Sequence, residues 1–243
     1  RPEAALAAVE RYLDGGGALV AVLEPGQASG IEAVLARYGL ESPDRFVVDP
    51  ASHPVEGETT GLSPVVSAYA THPASHGLGP NRMTFFRRAR AFELRKTRPN
   101  DRLRAVALTS PDAWTDPGAG ALPSDALPEP PADANPGYHA LLALAEVERG
   151  AGPARIAAFG DADLASNRYL RALYNLDLVL NTIHWALERE PAIALHPKHG
   201  GRQVNQFPLP LERSLRSFYG AGLLVPECLL IVGGLVWLRQ RRA

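Results

Sequence analysis

Residues 154–167 read ARIAAFGDADLASN. Ala154 to Phe159 is a short, mostly apolar run closed by Gly160, which reads as a central strand. Asp161 and Asp163 follow it one residue apart, and Ser166 and Asn167 come next. In an open parallel sheet, ligands gather at the carboxyl ends of the strands. Asp161, Asp163, Ser166 and Asn167 are therefore candidate ligand-binding residues for a cation or a polar molecule. The same residues also suit a structural role. Asp163 is placed to N-cap a short helix from Leu164 to Leu173, and Asp161 can accept backbone N–H groups in the turn. Two aspartates are too few for a closed metal site, so no metal is expected and capping is the favoured reading.

Downstream, LDLVLNTIHWAL (Leu176 to Leu187) reads as a strongly apolar helix with Trp185 buried. Upstream, Tyr138 to Val147 alternates only loosely and fits either a strand or a helix, while Leu103 to Leu108 reads as a strand. Between them, residues 117–136 hold six prolines and no periodicity, so a flexible surface excursion is expected. Pro64 to Ala70 looks like a strand, and Met83 to Leu94 holds another with many arginines.

Near the start, Leu6, Val9 and Leu13 share one face of an amphipathic helix spanning Glu3 to Leu13. Ala18 to Leu23 reads as a buried strand, Gly30 to Tyr38 as a second helix ended by Gly39, and Arg45 to Val48 as a second strand. Helix–strand–helix–strand alternation predicts an α/β fold, with an open, mostly parallel sheet flanked by helices. The chain begins at Arg1 rather than a methionine, so a strand completing the first unit is expected upstream of it.

The bulk composition limits the function classes. The chain has 243 residues, 46% of them hydrophobic, enough for one sizeable core. Its formal net charge is -1 and it carries no basic stripe with interleaved aromatics, so no nucleic-acid partner is expected. The sequence contains no phosphate-binding G-x-x-x-x-G-K-[ST] loop and no G-x-S-x-G elbow. The lone cysteine, Cys228, lies in the hydrophobic tail, which leaves the rest of the chain without a thiol nucleophile or a thiolate metal site. His72 and His76 stand four apart, but Pro73 and nearby glycines argue for a loop rather than a zinc-binding helix face. His196 and His199, with Pro197 between them, read the same way.

The tail itself reads GAGLLVPECLLIVGGLVWL from Gly220 to Leu238, then RQRRA. These 19 residues carry one charge, Glu227, and match the roughly 20 helical residues that cross a bilayer. Tyr219 and Trp237 lie near the two ends, and arginines follow at once. A single transmembrane helix with a cytoplasmic C-terminus is therefore expected. The domain plan is a soluble extracytoplasmic unit over 1–212 and an anchor with basic tail over 213–243.

Three stretches together carry a family resemblance: VERYLDGGGALVAVLEP, then ARIAAFGDADLASNRYL with NLDLVLNTIHWALERE, then the apolar tail. HPASHGL and ALTSPDAW also fit. The chain resembles the GldG-like auxiliary proteins of bacterial ABC-type transport systems. That resemblance implies a flavodoxin-like or class I amidotransferase-like sheet. It also implies a non-enzymatic accessory subunit at the bacterial inner membrane. Its partners would be an ABC permease and a separate ATP-binding subunit, and it would need no cofactor. The amidotransferase-like fold normally carries a cysteine on an elbow, which is missing here. The alternative is a metal-dependent hydrolase or amidotransferase-like enzyme using Asp161 and Asp163.

Overall fold

The structure is a computed structural model that describes residues 2–52, 60–118, 127–150, 152–188, 219 and 225–241. It divides the chain into two units, Arg1–Asn205 and Gln206–Ala243. In chain order the elements are α1 (Pro2–Asp14), β1 (Ala18–Val22), α2 (Ile31–Arg37), β2 (Leu40–Glu41), β3 (Phe46–Val48), β4 (Val65–Val66) and β5 (Ala68–Tyr69). Next come β6 (Thr84–Phe85), β7 (Glu93–Leu94), β8 (Arg102–Leu108), β9 (Trp114–Asp116), β10 (Ala140–Glu148), β11 (Pro153–Phe159), α3 (Asn175–Ala186) and α4 (Val225–Arg241).

The main sheet has five strands in the order β1-β11-β10-β8-β5. Among the described residues, β1 and β11 run parallel and the other pairings in this sheet are antiparallel. The expectation of a mostly parallel, flavodoxin-like or amidotransferase-like sheet is therefore corrected to a mixed sheet. The physical reason lies in the links. Residues 149–152 join β10 to β11, and so short a link makes a hairpin, whereas a parallel crossover needs a dozen residues or more. The strand expected at Arg45 to Val48 does form, as β3, but it pairs with β9 in a separate two-stranded sheet. Two further antiparallel pairs, β2–β7 and β4–β6, complete the set.

Side-chain alternation splits the core into two layers. Leu142 and Leu144 of β10 and Ala157 and Phe159 of β11 face one layer with Leu178, Trp185 and Ala186 of α3. Ala143, Ala145 and Val147 of β10 and Ile156 and Ala158 of β11 face the other, with Leu13 of α1 and Val34 and Leu35 of α2. β10 is buried on both faces, which explains why its sequence is near-continuously apolar. Full burial of one such leucine contributes about 1.5–3 kcal/mol.

Two local expectations change. Leu164 to Leu173 does not form a helix; a 3-10 turn over Asp163–Ala165 takes its place. Of the proline-rich excursion, residues 119–126 lie outside the described residues. The part that follows is tied down: Ala134 packs against a small cluster of Val48, Leu62 and Trp114, and Arg45 pairs with Asp133 at 3.0 Å.

The C-terminal unit contains α4, a helix of 17 residues and about 25 Å in length. Glu227 stands in its first turn, with Arg239 and Arg241 in its last, so its apolar stretch is shorter still. Residues 220–224 of the expected span lie outside the described residues. Among the described residues, no helix is long and apolar enough to cross a membrane. The expected transmembrane helix, and the single-pass inner-membrane location built on it, are thus corrected. The physical reason is charge: Glu227 in the first turn and Arg239 and Arg241 in the last leave an apolar length between them too short for a bilayer core.

Candidate functional site

The parallel pair brings two chain ends to one edge of the sheet. Val22 of β1 is in register with Phe159 of β11, and the Leu23 N–H donates to the Phe159 carbonyl at 2.9 Å. Glu24 and Asp161 therefore leave neighbouring strands on the same side, where a parallel sheet presents ligand-binding residues. Asp163 follows two residues later.

That edge is roofed by the chain from Phe86 to Phe92. The Arg90 N–H donates to the Gly160 carbonyl at 2.8 Å, and the Gly160 N–H donates to the Leu141 carbonyl at 2.9 Å. Any side chain at 160 would collide with the Arg90 carbonyl oxygen, so the approach requires glycine. The Arg90 side chain is itself buried. Its Nε donates to Ser42 Oγ at 2.9 Å and an Nη donates to the Ser42 carbonyl, while Glu32 and Asp44 lie 3.6 Å and 3.7 Å from Nη1. The roof is thereby pinned to the first turn of α2 and to the loop after β2.

Asp161 sits under this roof and is fully buried. Its Oδ2 accepts the Arg87 N–H at 2.6 Å and its Oδ1 accepts the Asp163 N–H at 2.7 Å. Each carboxylate oxygen therefore holds one backbone donor. Burial pushes its pKa up to about 7; the Arg87 N–H opposes the rise, and the Glu24 charge adds to it. Glu24 is also raised above its ordinary value, by burial first and then by the charge of Asp163. Asp163 points to the surface side, where Arg87 Nη1 meets its Oδ2 at 2.6 Å.

Among the four residues singled out from sequence, the structure brings Asp161 and Asp163 together through Arg87. The capping roles are exchanged relative to expectation. Asp161 receives the N–H of Asp163, whereas Asp163 lies inside the turn, whose N-cap position is Ala162. Ser166 closes the turn, and its Oγ is buried without a hydrogen-bond partner among the described residues. Asn167 is exposed and shares no hydrogen bond with the carboxylates among the described residues. Among the described residues, no three His, Cys, Asp or Glu side chains are grouped to hold a metal ion.

The His72 ring is held within the fold. His72 Nδ1 accepts the Ala74 N–H at 3.2 Å, and its ring meets Trp185 edge-on at 5.2 Å between centroids. Burial, with Arg104 nearby, lowers its pKa. The His76 carbonyl accepts from Asn181 Nδ2 at 3.0 Å. His196 and His199 lie outside the described residues.

Sequence reasoning missed three buried polar nodes. Asp101 is bound at both oxygens by Arg149, at 2.7 Å and 2.9 Å, and also accepts from Thr97 and Arg98. Asp49 accepts from Ala51, from the Ser110 N–H and from Ser110 Oγ. Asn175, fully buried at the start of α3, bonds both backbone groups of Phe85 and the Tyr169 carbonyl. A turn-forming RPND at 98–101 was the one signal available for the first of these.

No protein-family model and no curated protein matches the chain. Among solved structures it is similar to the mmIFT52 N-terminal domain, with a TM-score of 0.53 at 18% identity, covering 76% of this chain and 71% of that one. At that identity the likeness concerns the fold alone.

Proposed function

We propose that the Arg1–Asn205 unit is a non-catalytic binding domain, an accessory component of an ABC-type transport assembly that engages a permease and a separate ATP-binding subunit. The assembly context rests on the GldG-like sequence resemblance. The non-catalytic part rests on one observation. Asp161, the carboxylate best placed by the topology to meet a ligand, is fully buried with a backbone N–H on each oxygen. A general base or metal ligand must reach its proton or its ion. Asp161 instead ties the roof to the strand end, and Asp163 is engaged by Arg87.

The test has two arms on the full chain. Affinity capture from the native host is expected to recover an ATP-binding subunit and a permease; recovery of neither overturns the assembly reading. Titration with divalent metals to millimolar concentration is expected to leave the melting temperature unchanged. A ligand at 100 times its Kd adds about 2.7 kcal/mol of stability. A metal-dependent rise that Asp161→Asn abolishes would restore the rival reading, a metal-dependent hydrolase or amidotransferase-like enzyme.

A further inference from the structure

Between β5 and β6 the chain makes a 3-10 turn over Pro73–Ser75, and His72 is its N-cap. The His72 Nδ1 accepts the Ala74 N–H at 3.2 Å, and its carbonyl accepts the Ser75 N–H at 3.0 Å. Ser75 Oγ ties the turn back to the Ala70 carbonyl at 2.6 Å. Three contacts then join this loop to the C-terminal half of α3. The His72 ring meets the Trp185 ring edge-on at 5.2 Å between centroids. Asn181 Nδ2 donates to the His76 carbonyl at 3.0 Å. Ala74, fully buried, shares a core layer with Leu178, Trp185 and Ala186.

A backbone N–H only donates, so Nδ1 is the bare nitrogen of a neutral ring and Nε2 carries its proton. Protonation puts a second N–H on Nδ1, directly against the Ala74 N–H. The cap is then lost and the two donors repel. The surroundings do not offset this. The charges that act on the ring are Arg104 of β8, Arg155 of β11 and Glu146 of β10, two cations against one carboxylate. Glu146 is already engaged by Arg102, and Arg155 by Glu188 at 3.2 Å. The Trp185 ring already holds a cation, with Arg155 Cζ 5.7 Å from its centroid. α3 adds one more titratable group in its last turn, His184, beside Trp185.

We propose that His72 is a proton-operated latch: its neutral ring holds the Pro73–Ser75 turn onto α3, and its protonation releases the turn and uncovers Trp185. The direction follows from linkage. In the released turn the ring is solvated and titrates near its ordinary value of 6.5, whereas in the closed turn burial, with Arg104 next, holds it lower. As pH falls below 6.5 the released form takes up its proton first, and its share rises until the closed ring titrates as well. Histidine is the side chain whose ordinary charge change lies in this range. The junction between the turn and α3 is therefore closed at neutral pH and opens in mild acid, exposing apolar surface.

The test is amide hydrogen exchange on the full chain across a pH series from ~7.5 to ~5, corrected for the intrinsic rate at each pH. The Ala74 and Ser75 amides are expected to accelerate by at least about fivefold towards the acid end, while Leu144 in β10 holds its rate. His72→Asn keeps an acceptor oxygen at the N-cap and does not titrate, so it is expected to hold both amides at the slow rate throughout. The His72 ring, followed by NMR, is expected to titrate with the midpoint of the acceleration. Wild-type amides equally slow at both ends of the series would overturn the latch. Acceleration that persists in His72→Asn would also overturn it and assign the opening to another group, such as Glu146 or His184. Should His72→Asn fail to fold, a ring midpoint that departs from that of the exchange would overturn it just the same.

Discussion

The Arg87 backbone N–H donates to Asp161 Oδ2 across 2.6 Å, joining residues 74 positions apart in the chain. With the Asp163 N–H on Oδ1, this makes Asp161 a double acceptor. Asparagine has one acceptor oxygen and an NH2 that would face the second N–H. Asp161→Asn is thus expected to destabilise the protein by about 1–3 kcal/mol, the cost of a buried donor left unpaired. Urea denaturation measures it, and a change within error of zero would refute the capping role.

The same substitution carries a pH signature. Asp161 is raised from 3.8 to about 7 in the fold, so between these values the folded protein holds a proton that the unfolded chain has released. Stability from this group therefore falls as pH rises through that window, is level below it, and carries the full penalty above it. The deficit of Asp161→Asn against wild type should be largest at about pH 4 and below, and shrink towards pH ~8. A deficit that widens instead would mean that the two N–H bonds outweigh burial.

Gly160 supplies an independent check on the roof. Its backbone bonds link it to Arg90 and Leu141, and a methyl group there has no space before the Arg90 carbonyl. Gly160→Ala should push the roof off the strand end and cost at least about 1–3 kcal/mol, the usual penalty of overpacking. Hydrogen exchange at the Arg90 amide should accelerate more than at Ala145 in β10. Equal acceleration at both would point to global loosening rather than a displaced roof.

The elements that sequence periodicity located are those whose side chains carry the signal by themselves. α1, α2, β1, β8, β11 and α3 all lie within a few residues of expectation. Strand direction was legible too, since 149–152 is too short for a crossover, but the helix–strand alternation near the N-terminus outweighed it. Asp161 was legible as a candidate because aspartate after a strand and a glycine is informative. Its partner was not, since Arg87 contributes a backbone N–H that any residue except proline provides. The tail differs for another reason: its apolar run is legible in composition, but the helix over Val225–Arg241 places Glu227 in its first turn and Arg239 and Arg241 in its last, which shortens the apolar length between charges.

Asp101 and Arg149 predict an opposite pH response. Both side chains are almost wholly buried, and hydrogen bonds from Arg149 hold the Asp101 carboxyl well below the usual carboxylate range. The lowered pKa contributes stability that is complete above the unfolded value of 3.8 and is lost as pH falls through the folded value. Arg149→Met removes one partner and leaves a buried carboxylate, a loss of about 3–5 kcal/mol at neutral pH. Its deficit should narrow in acid, as the stranded carboxyl takes up a proton. A deficit independent of pH would assign the loss to packing of the arginine stem.

Asn175 behaves as a piece of backbone at the head of α3. Its Oδ1 accepts the Phe85 N–H at 2.8 Å, while its Nδ2 donates to the Phe85 carbonyl at 2.9 Å and the Tyr169 carbonyl at 3.0 Å. It extends the β6 edge by one rung and fixes where α3 begins. Asn175→Ala leaves three backbone groups unpaired in a fully buried position. At roughly 1 kcal/mol for each, the lower end of the usual penalty, the loss should reach about 3 kcal/mol. Asn175→Asp separates donor from acceptor. The ionised side chain still accepts the Phe85 N–H but meets two carbonyls without a donor, so at neutral pH it should be no better than alanine. Protonation restores one O–H donor, so lowering the pH towards ~4 should recover part of the loss for the aspartate variant and none for alanine. Equilibrium denaturation of both variants at the two pH values decides the matter: parallel behaviour would show that Asn175 acts through packing alone.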